Sequence, residues 1–154
     1  MSAPVEQRDR AVWISVIDPE TSDGRSAITT WDKGGPFQWA VPGPAGEDDL
    51  VLGWVTGGTG FAYLLSIEGP PRRASEDEYG PQQARLGVVE RIQPPVPMTR
   101  LKADQVLRFW WPVRVNMQGV IRAAKESATR DQEGEAFLRL LETVAPKAAA
   151  NLRG

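Results

Sequence analysis

The chain contains no cysteine and no histidine. Without cysteine there are no disulfides, thiolate metal ligands or thiol nucleophiles. Without histidine there is no Ser-His-Asp triad, no imidazole general base and no His-containing zinc site. Tyrosine is also scarce, at two residues. No apolar run approaches the roughly 18–20 residues that a membrane helix needs; the longest pieces, Leu50–Val55 and Phe61–Leu65, are of strand length. Met1 to Arg10 lacks the apolar core of a signal peptide, so residues 1–10 read as a flexible leader and the cytoplasm is the expected location. Carboxylates remain for acid–base or metal chemistry, but most catalytic toolkits are gone. A non-catalytic binding module, with no metal and no cofactor, is the leading class.

The 154 residues are 41% hydrophobic and 25% charged, which suits one soluble domain with a real core. Net charge is −2, but it is unevenly spread. Residues 1–50 carry four Lys/Arg against nine Asp/Glu, whereas residues 91–125 carry seven basic residues against the single acid Asp104. A segment this basic in an acidic protein can form a patch that meets phosphates. Scattered solubilising charge is the competing reading.

Ala11–Ile17 is β-branched and apolar and reads as a first, central strand. Residues 18–30 read as a polar connection, with Asp23-Gly24 as a turn signal. Trp31 to Pro44 is rich in Gly and Pro and is expected to be irregular. Leu50–Thr56 and Phe61–Ile67 form a hairpin about Gly57-Gly58-Thr59-Gly60, which lacks the Lys-Ser/Thr of a phosphate loop. Glu47-Asp48-Asp49 and Glu76-Asp77-Glu78 read as solvated turns, and residues 72–84 as a charged loop. Arg85–Gln93 is a further strand, closed by Pro94-Pro95-Val96-Pro97. Thr99 opens a helix over Arg100–Phe109, which Trp110-Trp111-Pro112 breaks. Val113–Val120 reads as extended. Phe137, Leu138, Leu140, Leu141 and Val144 share one helix face, with a capping box at Thr129 and Gln132. Pro146 should end that helix and leave residues 146–154 frayed. Strands and helices do not alternate, so the expected class is α+β: a small, strongly bent β-barrel flanked by short helices.

The six tryptophans, Trp13, Trp31, Trp39, Trp54, Trp110 and Trp111, are the main chemical signal. Indole faces stack on bases and attract electron-poor groups. Beside a basic segment they suggest a nucleobase pocket with a phosphate-binding rim. The alternative is that they are consumed by the core.

In the order of its elements the stretch from Ala11 to Leu141 resembles the EVE domain, a PUA-like relative of the YTH domain. Trp13 lies in a strand similar to the family's first. Trp31-Asp32-Lys33-Gly34-Gly35-Pro36-Phe37-Gln38-Trp39-Ala40 resembles its Trp-Asp-Gly loop. Glu47-Asp48-Asp49-Leu50-Val51-Leu52-Gly53-Trp54 resembles its Gly-Asp-x-Val-Leu-Phe-Tyr strand, and Phe61–Glu68 the strand paired with it. Val88–Pro97 with Met98-Thr99-Arg100-Leu101 is similar to its proline stretch and helix start. Arg114-Val115-Asn116-Met117-Gln118-Gly119-Val120 resembles its Arg-Leu-Ser-Val-Met-Pro-Val segment. The resemblance implies a single domain over residues 11–145 that reads a modified base in DNA or RNA, with room for a partner nuclease or other effector protein. It implies a cage of Trp31, Trp54, Trp110 and Trp111, base-edge hydrogen bonds from Asp32 or Asn116, and phosphate contacts from Lys33 and Arg114. A small-molecule or protein-binding adaptor of the same fold is the alternative.

Overall fold

The computed structural model describes residues 10–73 and 81–154; the expected leader, residues 1–9, and the acidic run Glu76-Asp77-Glu78 lie outside them. The fold is mixed α+β. Its sheet has five strands, β1 (Val12–Ile17), β2 (Phe37–Val41), β3 (Leu50–Val55), β4 (Gly60–Arg73) and β5 (Gln82–Val96), in the order β1-β3-β4-β5-β2. β1 runs parallel to β3 and all other neighbours are antiparallel. Register shifts interrupt β3 at Gly53/Trp54 and β4 at three places, and such bulges bend a sheet.

The sheet is not closed into a barrel, which corrects the expected architecture: no backbone ladder joins β1 to β2. The edges nevertheless meet through side chains. Ser15 Oγ donates to the Ala40 carbonyl (2.7 Å), and the Trp39 indole N–H donates to the Val16 carbonyl (3.1 Å). The other end of β1 is covered by the turn at Ser127-Ala128: Val12 N–H donates to Ser127 Oγ (2.9 Å) and Ala128 N–H to the Val12 carbonyl (2.7 Å).

Alternation along the strands produces two cores. Val12, Ile14, Leu50, Leu52 and Trp54 face one way, against Leu107, Trp110, Val113, Phe137 and Leu141. Trp13, Ile17, Val51, Val55 and Leu65 face the other, against Ala27 and Trp31. Every residue of β3 is buried, as expected of a strand with both faces covered.

Several segments differ from expectation. Residues 22–32 are a helix, α1 (Ser22–Asp32), not a connection. Thr21 caps it, its hydroxyl accepting from Gly24 N–H at 2.9 Å. Gly24 is not a turn residue: it lies in the first helical turn, where a Cβ would overlap the Asp18 carbonyl. Trp31 is thereby placed at the helix end, one face below Gly24 and Ala27. β2 forms inside the stretch expected to be irregular, pairing Phe37–Val41 with Gln82–Leu86. Pro94 and Pro95 lie within β5, where they do not stop it before Val96.

The expected helix over 100–109 divides into α2 (Met98–Ala103) and a 3-10 turn, Leu107–Phe109. Trp110 is extended, but Trp111, the residue before Pro112, opens α3, and the expected helix already stops at Ala103, so the proline is not what breaks it. The segment expected to be extended after Pro112 is instead α3 (Trp111–Arg114), tight turns and α4 (Val120–Ala123). Pro112 suits the first turn of α3 because it lacks a donor that a helix start leaves unused anyway.

α5 (Gln132–Val144) buries Phe137, Leu138 and Leu141, close to the expected face. Its cap is Asp131, whose carboxylate accepts from Gly134 N–H at 2.7 Å, not a Thr129/Gln132 box. Gly134 permits the close crossing of the Thr129 backbone. Residues 146–153 are not frayed: they form α6 (Pro146–Arg153), opened rather than stopped by Pro146. Ala148 and Ala149 are buried with no exposed surface, and small side chains allow that approach. Arg153 fastens the helix end to Glu135 (2.9 Å) and Glu142 (2.6 Å) on α5.

Candidate functional site

The four indoles expected to form a cage do not form one. Trp31 is wholly buried on one face of the sheet, where its N–H donates to the Leu86 carbonyl (3.0 Å) and its ring meets Tyr63 at 5.4 Å. Trp54 and Trp110 are buried on the opposite face. There Trp54 packs edge-on against Phe61 (4.8 Å), and Trp110 stacks on Phe137 (5.0 Å) while donating to the Ala128 carbonyl (3.0 Å). Trp111 is half-buried and packs against both clusters. Magnitudes explain the outcome. Burying an indole removes some 150–250 Å² from water, worth roughly 4–6 kcal/mol, whereas stacking on a base contributes about 1–3.

Two acidic residues are also engaged internally. Asp32 is exposed at the end of α1, where its Oδ1 accepts from the Tyr63 hydroxyl (2.7 Å) and pairs with Arg91 (3.3 Å), away from the cleft described next. Burial raises the Tyr63 pKa well above the ordinary phenol range; the hydrogen bond to Asp32 and that carboxylate's charge add to the rise, and Arg91 opposes it. Asp49, read as part of a solvated turn, is buried. It accepts from the Trp13 indole (2.9 Å), Gly46 N–H (2.9 Å) and Ala11 N–H (3.2 Å), tying β1 to the loop before β3. Lys33 ends α1 and lies apart from the cleft described next.

Arg114 and Asn116 do come together. With Lys102, Arg108, Phe109 and Val113 they line an open cleft of about 470 Å³. Local structure sets this arrangement. Asp104 Oδ1 accepts from Val106 N–H (2.8 Å) and Leu107 N–H (2.9 Å), fixing the turn between α2 and the 3-10 turn. Those bonds, Leu107's first, lower the Asp104 pKa. Leu107, Trp110 and Val113 point inward, anchoring the segment, while Arg108 and Phe109 face solvent. The Arg108 guanidinium sits over the Phe109 ring, 4.9 Å from its centroid. Asn116 and Met117 both adopt left-handed backbone (φ 53° and 60°), a costly conformation for non-glycine residues. Met117 is buried and its N–H donates to the Pro112 carbonyl (2.8 Å), which holds Asn116 at the cleft.

The electrostatics of the cleft are one-sided. Lys102, Arg108 and Arg114 are exposed, and among the described residues none has a carboxylate within salt-bridge distance. The one acid in the segment is turned to backbone donors. Sequence reasoning named Arg114 and Asn116 and counted Lys102 and Arg108 only within the basic segment; it missed Phe109. The usable signal was Asp104 as a cap with Leu107 and Trp110 three apart, which phases Phe109 outward.

No family model matches the chain, and no curated protein does. Solved structures share its fold. One is the NMR structure of Rpa0253 from Rhodopseudomonas palustris, 14% identical, with a TM-score of 0.54 over 70% of this chain and 80% of that one. Another is a hypothetical protein from Leishmania major, 15% identical, with a TM-score of 0.56 over 88% of this chain and 96% of that one. Likeness at this identity establishes the fold alone. No helix among the described residues is long and apolar enough to cross a membrane.

Proposed function

We propose that this protein is a non-catalytic nucleic-acid-binding module, a PUA-like domain of the EVE kind, that grips phosphates with Lys102, Arg108 and Arg114. The observation that carries the reading is the set of three cations unopposed around one cleft in a protein of net negative charge. Phosphate contacts position a strand, and base-edge contacts specify it. Asn116 is the side chain at the cleft able to donate and accept at a base edge. A modified base would be read there and not in a cage of indoles. An effector such as a nuclease would be a separate protein.

Salt tests this. Neutralising about three phosphates gives a slope of roughly −2 to −3 in log affinity against log salt concentration. The expected result is fluorescence-anisotropy binding to labelled oligonucleotides, unmodified and base-modified, with that slope, and its collapse in the triple variant Lys102→Gln, Arg108→Gln, Arg114→Gln. Binding that is absent at low salt, or indifferent to salt and to the triple variant, would replace this reading with that of a small-molecule or protein adaptor.

A further inference from the structure

Phe109 stands apart from the other rings of the molecule. It is 54% exposed, and among the described aromatic residues no other is exposed. The remaining large apolar side chains exposed among the described residues, Val106 (38%) and Val115 (41%), lie in the same ten-residue stretch. Leaving half of a phenylalanine in water forgoes about half of the ~1.5–3 kcal/mol that full burial contributes, and here the ring is held out beside three cations and under the guanidinium of Arg108.

Resting on the nucleic-acid reading above, we infer that the cleft takes a single-stranded segment, with one unpaired base stacked on Phe109 and its flanking phosphates on Lys102 and Arg114. A duplex offers this surface only phosphates and groove edges, because its base faces are already stacked on one another. An unpaired nucleotide offers phosphate and base face together, which is what a ring flanked by cations can use. The cleft volume, about 470 Å³, falls in the range of sites that hold one small ligand, roughly 300–1,000 Å³. Arg108 covers one face of the ring and keeps it oriented, so the base takes the other face. Stacking is tolerant of base identity, so any preference among bases falls to Asn116.

The experiment measures anisotropy with labelled single strands of DNA and of RNA, about twelve nucleotides long, and with the matching duplexes, for the wild type, Phe109→Ala, Phe109→Leu and the triple charge variant. Phe109→Leu keeps apolar bulk and removes the flat face. The wild type should prefer single strands by roughly 5- to 100-fold. Both Phe109 variants should lose most of that preference by weakening single-strand binding, with duplex affinity unchanged. The triple variant should weaken both. Equal wild-type affinity for single strand and duplex, or a preference that survives both Phe109 variants, overturns the stacking inference and leaves phosphate binding standing. Wild-type protein that binds neither form, or a triple variant that binds both as well as wild type, overturns the nucleic-acid reading and this inference with it.

Discussion

Phe109 and Trp110 are neighbours in the chain with opposite fates. One ring is more than half exposed beside a cation; the other is buried completely, stacked on Phe137 and hydrogen-bonded to Ala128. The difference is one of phase. Asp104 starts the turn, Leu107 and Trp110 fall inward three residues apart, and Phe109 has nowhere to go but out. The size and apolarity of a ring decide how much it can contribute; its place in a short helical turn decides whether it contributes to the fold or to a surface. In this protein the tryptophans went to the fold and a phenylalanine to the surface.

Truncation is the most direct way to break that contrast. Trp110→Ala should cost about 3–5 kcal/mol in a denaturant titration, because it empties the centre of one core and strands the Ala128 carbonyl. A loss below about 1 kcal/mol would show that Trp110 is not the anchor that phases Phe109. A pH experiment sharpens the comparison at the other core. The Tyr63 phenol has a raised pKa in the folded state, so its contribution is full below the unfolded value of about 10 and is lost as pH rises beyond it. Unfolding midpoints measured between neutral and alkaline pH should fall in the wild type and fall less steeply in Tyr63→Phe. Parallel curves would remove Tyr63 from the account. The smallest effect on stability belongs to Phe109→Ala, which should stay within about 0.5 kcal/mol of wild type while changing binding as described above. A large stability loss there would make Phe109 a structural residue.

Where strongly apolar residues cluster, the sequence was readable. β1, the β3–β4 hairpin and the inward face of α5 follow from β-branched runs and helical spacing. α1 was not readable, because Ala27, Ile28 and Trp31 are its only apolar residues and its polar side chains have no period of their own. β2 was hidden by the glycines and prolines around it; it forms because β5 offers an edge to pair with. α6 depends on Ala148 and Ala149 meeting α5, a contact that local propensity does not encode. At the cleft, Arg114 was reachable through the charge count of its segment, and Asn116 only through the family resemblance. The cage failed because six indoles are as useful to two cores as to one pocket, and nothing in their spacing says that Trp31 and Trp54 lie on opposite faces of a sheet.

The bonds from Ser15 and Trp39 across to β2 and β1, together with the turn at Ser127-Ala128, have a consequence for the molecule among its own copies. A bare strand margin is a template on which a second chain can add itself, the first step toward fibrils and swapped dimers. Here the two margins shield one another without forming a ladder. A hydroxyl and an indole take up two carbonyls that backbone closure would take up elsewhere, leaving fewer edge groups open to a second chain.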